Sequence, residues 1–194
     1  MDLETVETRL LDTAQALFDE RGIQAVGMDA IRTASGVSLK RLYQVFPSKD
    51  DLVTAVLRRR SSAVAEAIAD HARPGADPRE RILDVFDYLA DWFAQPGFRG
   101  CAFINSYGEL GGVSPEVADL VRAHKRALNG HFALLVAALD GPPVLAAQFG
   151  LLANGAMATA GILSGTEPAA QARAAAEVLL DAALPAAAPP AASP

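Results

Sequence analysis

Apolar residues recur at every third or fourth position along most of the chain, and the strict alternation typical of strands is almost absent. Leu10, Ala14, Leu17 and Phe18 form such a stripe in a first helix from about residue 4 to 20, which ends before Gly22. Similar stripes, separated by capping and helix-breaking residues, predict helices near 28–34, 39–45, 49–71, 78–94, 101–110, 115–139, 144–163 and 168–184. The pattern therefore predicts an all-α fold of about nine helices.

Two of the short predicted helices meet at a tight turn, residues 35–37, which contains a glycine. Ile31, Ala34 and Leu42 are placed to pack as a small core between these helices, together with the valine of the turn. Ser38 is a suitable N-cap for the second of them. The segment is typical of a helix-turn-helix whose second helix keeps its outer face accessible for the major groove of DNA.

Charge is distributed unevenly along the chain, which has a net charge of -6. Residues 32–60 hold seven bases and two acids, whereas residues 61–194 hold eight bases and fourteen acids. This asymmetry indicates a basic contact surface on an acidic body, although basic runs are often only solvated helix faces. The three consecutive arginines at 58–60 are more typical of such a solvated face than of base readers.

The first 55 residues or so resemble the DNA-binding domain of the tetracycline-repressor (TetR) family. The resemblance lies in the run "AQALFDERG" from Ala14 to Gly22, in "IRTASGVS" from Ile31 to Ser38, and in "LYQVFPSKDDL" from Leu42 to Leu52. It implies an all-helical homodimer that acts as a ligand-responsive transcription factor, most often a repressor. The implied DNA contacts are Ser38, Leu39, Lys40, Arg41, Tyr43, Gln44 and Lys49.

Within this set the resemblance implies that Tyr43 and Lys49 contact phosphate and that the recognition helix reads base edges. Many relatives have Gly-Thr where this chain has Lys40 and Arg41, so the operator sequence or the docking is expected to differ. Gly27 stands where relatives often place a Ser or Thr cap, and glycine offers no side-chain contact to phosphate.

The resemblance divides the chain into three parts. Residues 1–47 are expected to form the DNA-binding helix-turn-helix domain, and residues 48–184 the ligand-binding and dimerisation domain. Residues 185–194 are low in complexity, and we expect them to be disordered. Small residues along the eighth helix and the alanine-rich ninth helix permit close packing of another helix, so these two helices are predicted to join two copies in a two-fold dimer that binds a palindromic operator.

Aromatic residues are concentrated in the middle of the larger domain, with a few polar residues among them. As a set they predict a pocket for a small lipophilic or aromatic effector, although for any single aromatic residue an ordinary core is the better interpretation. The predicted lining residues are Trp92, Phe93, Phe103, Asn105, Tyr107, His131, Phe132, Asn154 and Met157.

Residues 141–166 carry no charge, and this run is long enough to span a bilayer. Pro142, Pro143 and internal polar residues favour a buried helix instead, since no basic cluster flanks the run. The acidic N-terminus lacks the apolar segment of a signal peptide, and a single cysteine, Cys101, excludes an internal disulfide. Both features favour a cytoplasmic protein with no membrane partner; as a single residue, Cys101 is more typical of a buried small hydrophobe than of a thiol sensor.

No nucleophile elbow, phosphate-binding loop, dinucleotide fingerprint or metal-ligand set is visible in the sequence, so an enzyme is not expected. His124 and His131 are seven residues apart, which is too far for a metal-binding pair on one helix, and no cofactor is expected. The main hypothesis is a regulator that binds double-stranded DNA and a small-molecule effector. The alternative is a small-molecule carrier that keeps a vestigial DNA-binding domain.

Overall fold

The computed structural model of the protein describes residues 2–184, and the predicted disordered tail lies outside this range. Within it the chain forms nine helices and no strand, which confirms the predicted all-α fold. The helices are α1 (Leu3–Arg21), α2 (Met28–Ser35), α3 (Leu39–Val45), α4 (Lys49–His71), α5 (Pro78–Phe93), α6 (Ala102–Leu110), α7 (Pro115–Ala137), α8 (Val144–Leu163) and α9 (Glu167–Ala183).

Side-chain caps start two of the long helices. The Asp2 carboxylate accepts the N–H of Thr5 at 2.8 Å at the start of α1. At α5, the Asp77 carboxylate accepts the N–H of Glu80 at 2.8 Å, and the Glu80 carboxylate accepts the N–H of Asp77 at 3.0 Å. These bonds satisfy backbone donors that the first turn of a helix leaves without a partner.

The chain divides into two compact units. The first contains Met1–Ala69 and Gln95–Arg126, and thus α1 to α3, most of α4, α6 and the first half of α7. The second contains Asp70–Ala94 and the chain from Ala127, and thus α5, α8, α9 and the end of α7. The predicted division after residue 47 is a functional one, which these units do not test, and it stays a prediction.

An aromatic stack forms the centre of the second unit. Phe132 of α7 lies between Phe86 of α5 and Phe149 of α8, with ring centres 6.1 Å and 5.7 Å away. All three side chains are fully buried. Because α9 packs on both α5 and α8, this stack joins every helix of the unit around one core.

Within one copy of the chain, the uncharged helix α8 is buried on one side. Its buried residues face the core of the second unit: Leu145, Ala146, Phe149, Gly150, Ala153, Ala156, Met157 and Ala160. Its opposite side exposes Leu151 and Ile162, whose side chains are 73% and 80% exposed. Among the described residues α8 is also the one helix long and apolar enough to cross a membrane. Its small buried residues instead fit close packing against α9.

Replacing Phe132 with alanine is expected to lower the free energy of unfolding by about 3–5 kcal/mol, because the cavity lies inside a stack that cannot collapse around it. Urea denaturation measures this loss. Leu134→Ala, two residues along α7 at a side chain 75% exposed, is the matched control and should change stability by less than about 0.5 kcal/mol. Equal losses in the two variants contradict the assigned core.

Candidate nucleic-acid interface

A left-handed glycine turns the chain between α2 and α3. Gly36 has φ 66° and ψ 12°, a conformation that side chains disfavour, and its N–H closes α2 by donating to the Arg32 carbonyl at 3.0 Å. The buried Ser35 hydroxyl accepts the N–H of Val37 at 3.3 Å. These contacts fix the direction in which α3 leaves the turn.

The helices of this turn enclose a small apolar core that also includes α1. Ile31 and Leu42 are fully buried, and Val37 is nearly so. Ala34 is exposed, so its expected place in this core is wrong. Ser35, four residues after Ile31 and therefore on the same face of α2, takes the buried position. A polar residue was not expected there, and its hydroxyl is accommodated by bonding to the backbone.

The outer side of α3 is a set of exposed side chains, which we call the recognition face: Ser38, Leu39, Lys40, Tyr43 and Gln44. Leu39 is 43% exposed and Tyr43 is 45% exposed, so two large apolar groups stand in solvent on a helix of seven residues. The Ser38 hydroxyl accepts the N–H of Arg41 at 3.4 Å and starts the helix as predicted. The predicted residues therefore lie together, on a rigidly held helix.

Arg41 differs from the rest of the predicted set because its side chain is half-buried. Its positive charge acts electrostatically on the carboxylate of Asp2 at the start of α1. The pKa of Asp2 lies below its usual value, chiefly because the carboxylate accepts the N–H of Thr5, with Arg41 adding a smaller effect. Arg41 thus lies between the recognition face and α1, and its role as a base reader stays a prediction.

Lys49 is the first residue of α4 and is half-buried. The Ser48 hydroxyl accepts the N–H of Asp51 at 3.1 Å and donates to its carboxylate at 2.6 Å, so Ser48 caps the start of α4. The first turn of a helix directs backbone N–H groups outward and favours anions. Lys49 therefore has a position suited to phosphate, and that contact stays a prediction.

The three consecutive arginines of α4 are engaged inside the first unit, so the expectation of a solvated face is wrong for two of them. Their side chains are 66%, 32% and 17% exposed in chain order. Each pairs with a carboxylate: Arg58 with Glu116 of α7, Arg59 with Asp12 of α1 and Arg60 with Asp19 of α1. The pairs of Arg59 and Arg60 hold α1 against α4, and the pair of the exposed Arg58 joins α4 to α7.

Phe103, one of the predicted effector-lining residues, is buried in the first unit. Its ring stacks on His124 of α7 with centres 3.5 Å apart, and the Nδ1 atom of His124 shares a 2.9 Å hydrogen bond with the Ser61 hydroxyl. Burial, with a smaller effect from Lys125, lowers the pKa of His124 to about 4. His124 is therefore neutral at pH 7, and α4, α6 and α7 meet around an uncharged ring.

The other effector-lining residues of the first unit are exposed. The Asn105 side chain donates to the Arg99 carbonyl at 3.1 Å, and Tyr107 lies with its ring centre 5.9 Å from the Arg122 guanidinium carbon. Six more lie in the second unit. Phe93, Phe132 and Met157 are buried, and Trp92, His131 and Asn154 are half-buried. That these nine residues line one effector pocket stays a prediction.

Glu109 near the end of α6 is a residue that the sequence reasoning missed. Its carboxylate accepts the backbone N–H of Ile23 at 3.1 Å and that of Gln24 at 2.8 Å. Cys101 likewise has a basic neighbour that the sequence did not suggest, since Lys125 donates to its buried sulfur at 3.3 Å. Both contacts join distant parts of the chain, and no local pattern indicates them.

Comparison with known proteins assigns the N-terminal part of the chain. Residues 10–56 match the family model of bacterial regulatory proteins of the tetR family. A solved TetR transcriptional regulator from Streptomyces avermitilis is 34% identical, with a TM-score of 0.80 over 92% of this chain and 97% of that one. The structure of SCO4454, a TetR-family regulator from Streptomyces coelicolor, is 28% identical with a TM-score of 0.85, over 94% of this chain and 96% of that one.

A curated relative, the HTH-type transcriptional activator FasR of Mycolicibacterium smegmatis, is 34% identical over 116 residues. The match covers 59% of this chain and 51% of the relative, so the chain spans about half the length of that protein.

The depressed pKa of His124 predicts how stability depends on pH. The unfolded chain binds a proton at this histidine near pH 6.5, and the folded chain does so only near pH 4, so stability falls as the pH is lowered from 6.5 to 4. His124→Asn should be less stable at pH 7 yet lose less stability over this window, as measured by urea denaturation. Phe103→Leu, which disturbs the same stack without removing a titrating group, should keep the wild-type slope. A wild-type slope in His124→Asn contradicts this assignment.

Proposed function

The chain belongs to the TetR family of bacterial regulatory proteins, and from this premise we propose that it is a DNA-binding transcriptional regulator that responds to a small molecule. It acts in the cytoplasm as a repressor, and a lipophilic or aromatic effector releases it from a palindromic operator. The observation that carries the proposal is the recognition face, in which the N-cap of α3 and four residues of the helix expose their side chains while a buried core holds the helix in place.

The recognition face has the dimensions and chemistry of a major-groove reader. An α-helix about 10–12 Å across fits a groove about 12 Å wide. Lys40 and Gln44 carry groups that hydrogen-bond purine edges, and exposed Leu39 suits the methyl group of thymine. Tyr43 and Lys49 lie where phosphate contacts would fix the register of α3 in the groove.

Selection of binding sites from random duplex DNA at physiological salt, read by sequencing, tests the proposal. A palindromic enriched site with half-sites about 34 Å apart, one helical turn of DNA, is the expected result. A folded dimer that enriches no sequence overturns the regulator and favours the alternative of a small-molecule carrier.

Lys49→Ala is expected to weaken binding to all DNA sequences equally. It should lower the slope of log affinity against log salt by about one for each half-site, and so by about two for a dimer on a palindrome, because each subunit loses one phosphate contact. Lys40→Ala should instead change which site is enriched. Arg126→Ala, which removes an exposed base from α7, is the charge-matched control and should leave both quantities near their wild-type values. Fluorescence anisotropy across a salt series measures them, and identical slopes for Lys49→Ala and wild type contradict the phosphate contact.

A second copy of the chain is the proposed partner of the outer face of α8 and α9, the side of these helices turned away from the core of the second unit. Exposed small and apolar residues run along both helices: Val144, Leu151, Gly155, Thr159 and Ile162 of α8, and Ala174 and Val178 of α9. A shallow groove between the two helices continues this surface. Such a contiguous apolar face is unusual on a monomer, and self-association buries it on two copies at once.

Leu151→Asp is expected to convert the dimer to a monomer, since it buries an unpaired carboxylate at the centre of this face. Sedimentation velocity at micromolar concentration measures the change. Val113→Asp, at a side chain 78% exposed between α6 and α7, is the matched control and should leave the dimer intact. A dimeric Leu151→Asp protein shows that another surface joins the copies.

The effector controls DNA binding only if its affinity differs between two conformations of the dimer. We infer that it favours the conformation in which the two recognition helices no longer match the half-site spacing. The nine predicted lining residues support a lipophilic or aromatic effector, because five of them are Phe, Tyr or Trp. Release of labelled operator by members of an aromatic and fatty compound panel identifies the effector class.

A further inference from the structure

We propose that Glu109 is the positioning residue through which α6 controls the orientation of the DNA-reading helices. The inference rests on the proposed function and adds to it the contact by which a change at α6 reaches the turn before α2. That turn, residues 22–27, is called here the α1–α2 turn.

Glu109 binds this turn with both of its carboxylate oxygens. The Oε1 atom accepts the N–H of Ile23 at 3.1 Å, and the Oε2 atom accepts the N–H of Gln24 at 2.8 Å. The Gln24 side-chain amide donates in return to the backbone carbonyl of Glu109 at 2.6 Å. Three hydrogen bonds, two of them to a charged acceptor, thus join segments 85 residues apart in the chain.

The backbone of the turn is shaped to receive the carboxylate. Gly22 has φ 82°, a conformation that side chains rarely adopt, and it ends α1 just before the two donors. A Cβ atom on Gly22 would lie 3.2 Å and 3.3 Å from the two oxygens of Glu109. Glycine therefore permits both the turn and the close approach of the carboxylate.

The position of Glu109 is unfavourable for α6 itself. A carboxylate in the last turn of a helix faces the negative end of the helix dipole, where a base is preferred. Glu109 is the penultimate residue of α6, and the helix has no base in its last turn. The two N–H groups of the α1–α2 turn offset this cost, so the residue is explained by what it binds across the unit.

The α1–α2 turn leads directly into the helix-turn-helix. Val26 is buried at its end, and α2 starts two residues later. At its other end α6 is held on α7 by the stack of Phe103 on His124. A displacement of α6 along α7 therefore pulls on the entrance to α2, and the recognition face turns with it.

Coupling of this kind is reciprocal, which provides a test that needs no effector. If the state of α6 changes DNA affinity, DNA binding must change the state of α6. The experiment is hydrogen exchange of the amides of residues 102–110, measured by mass spectrometry with and without the operator that wild-type protein enriches. In wild type, operator binding is expected to slow this exchange.

Glu109→Ala is expected to abolish the effect of operator on α6 exchange and to weaken operator binding about tenfold, the size of one hydrogen bond to a charged group. Glu109→Gln keeps one acceptor oxygen and should lie between the two. Glu66→Gln removes an exposed carboxylate from α4 with the same change of charge, and it should behave as wild type. Thermal denaturation verifies that each protein is folded, and Gln24→Ala serves in place of Glu109→Ala if that variant does not fold.

Operator-dependent protection of α6 that persists in Glu109→Ala and in Gln24→Ala overturns the proposal, as does wild-type protein that binds operator without any change at α6. Both results leave the regulator itself intact. A wild-type protein that enriches no operator overturns the proposed function, and the positioning role with it, so the two failures are distinguished.

Discussion

The arrangement of the DNA-reading half of the molecule depends on how α1 is held. Its apolar stripe packs against α2 and α3, but apolar contact alone leaves a helix able to rotate or slide. The paired carboxylates of Asp12 and Asp19 remove that freedom, because the planar guanidinium groups of Arg59 and Arg60 bind carboxylates in a fixed geometry. The pair of Arg60 and Asp19 is the more buried of the two, with the arginine side chain 17% exposed.

These ion pairs show that part of the basic segment, residues 32–60, has a structural role. Of its seven bases, three hold α1 and α7, and Arg32 bonds to Asp29 within α2 at 2.8 Å. Lys40 and Lys49 remain as the lysines proposed to contact DNA, with the half-buried Arg41 between the recognition face and α1. On the proposed function, one subunit is therefore expected to make few phosphate contacts, and nonspecific attraction, which grows with their number, is expected to be small. The affinity of such a protein would then depend on two subunits reaching two half-sites together.

Local chemistry made much of the fold predictable. Gly36, Ser38 and Asp77 act on backbone groups within four residues, so the turn and helix starts could be read from the sequence, and α3 was predicted to the residue. Ala34 was misplaced because α2 is short and a rotation of one residue changes its buried face. Glu109 and Lys125 could not be found, since their partners are distant in sequence and each has the ordinary character of a solvated charge.

On the proposed function, the same distribution of charge would allow a small displacement to control DNA binding. A regulator held to DNA mainly by nonspecific attraction to phosphates would stay bound after its two DNA-binding domains moved apart, because phosphates are present at every step of the duplex. With few phosphate contacts in each subunit, loss of register in one half-site removes a large share of the binding free energy. If Glu109 has the proposed positioning role, the α1–α2 turn is where such a loss of register is most easily produced, since the turn leads into the helix-turn-helix and is held by hydrogen bonds to one side chain of α6.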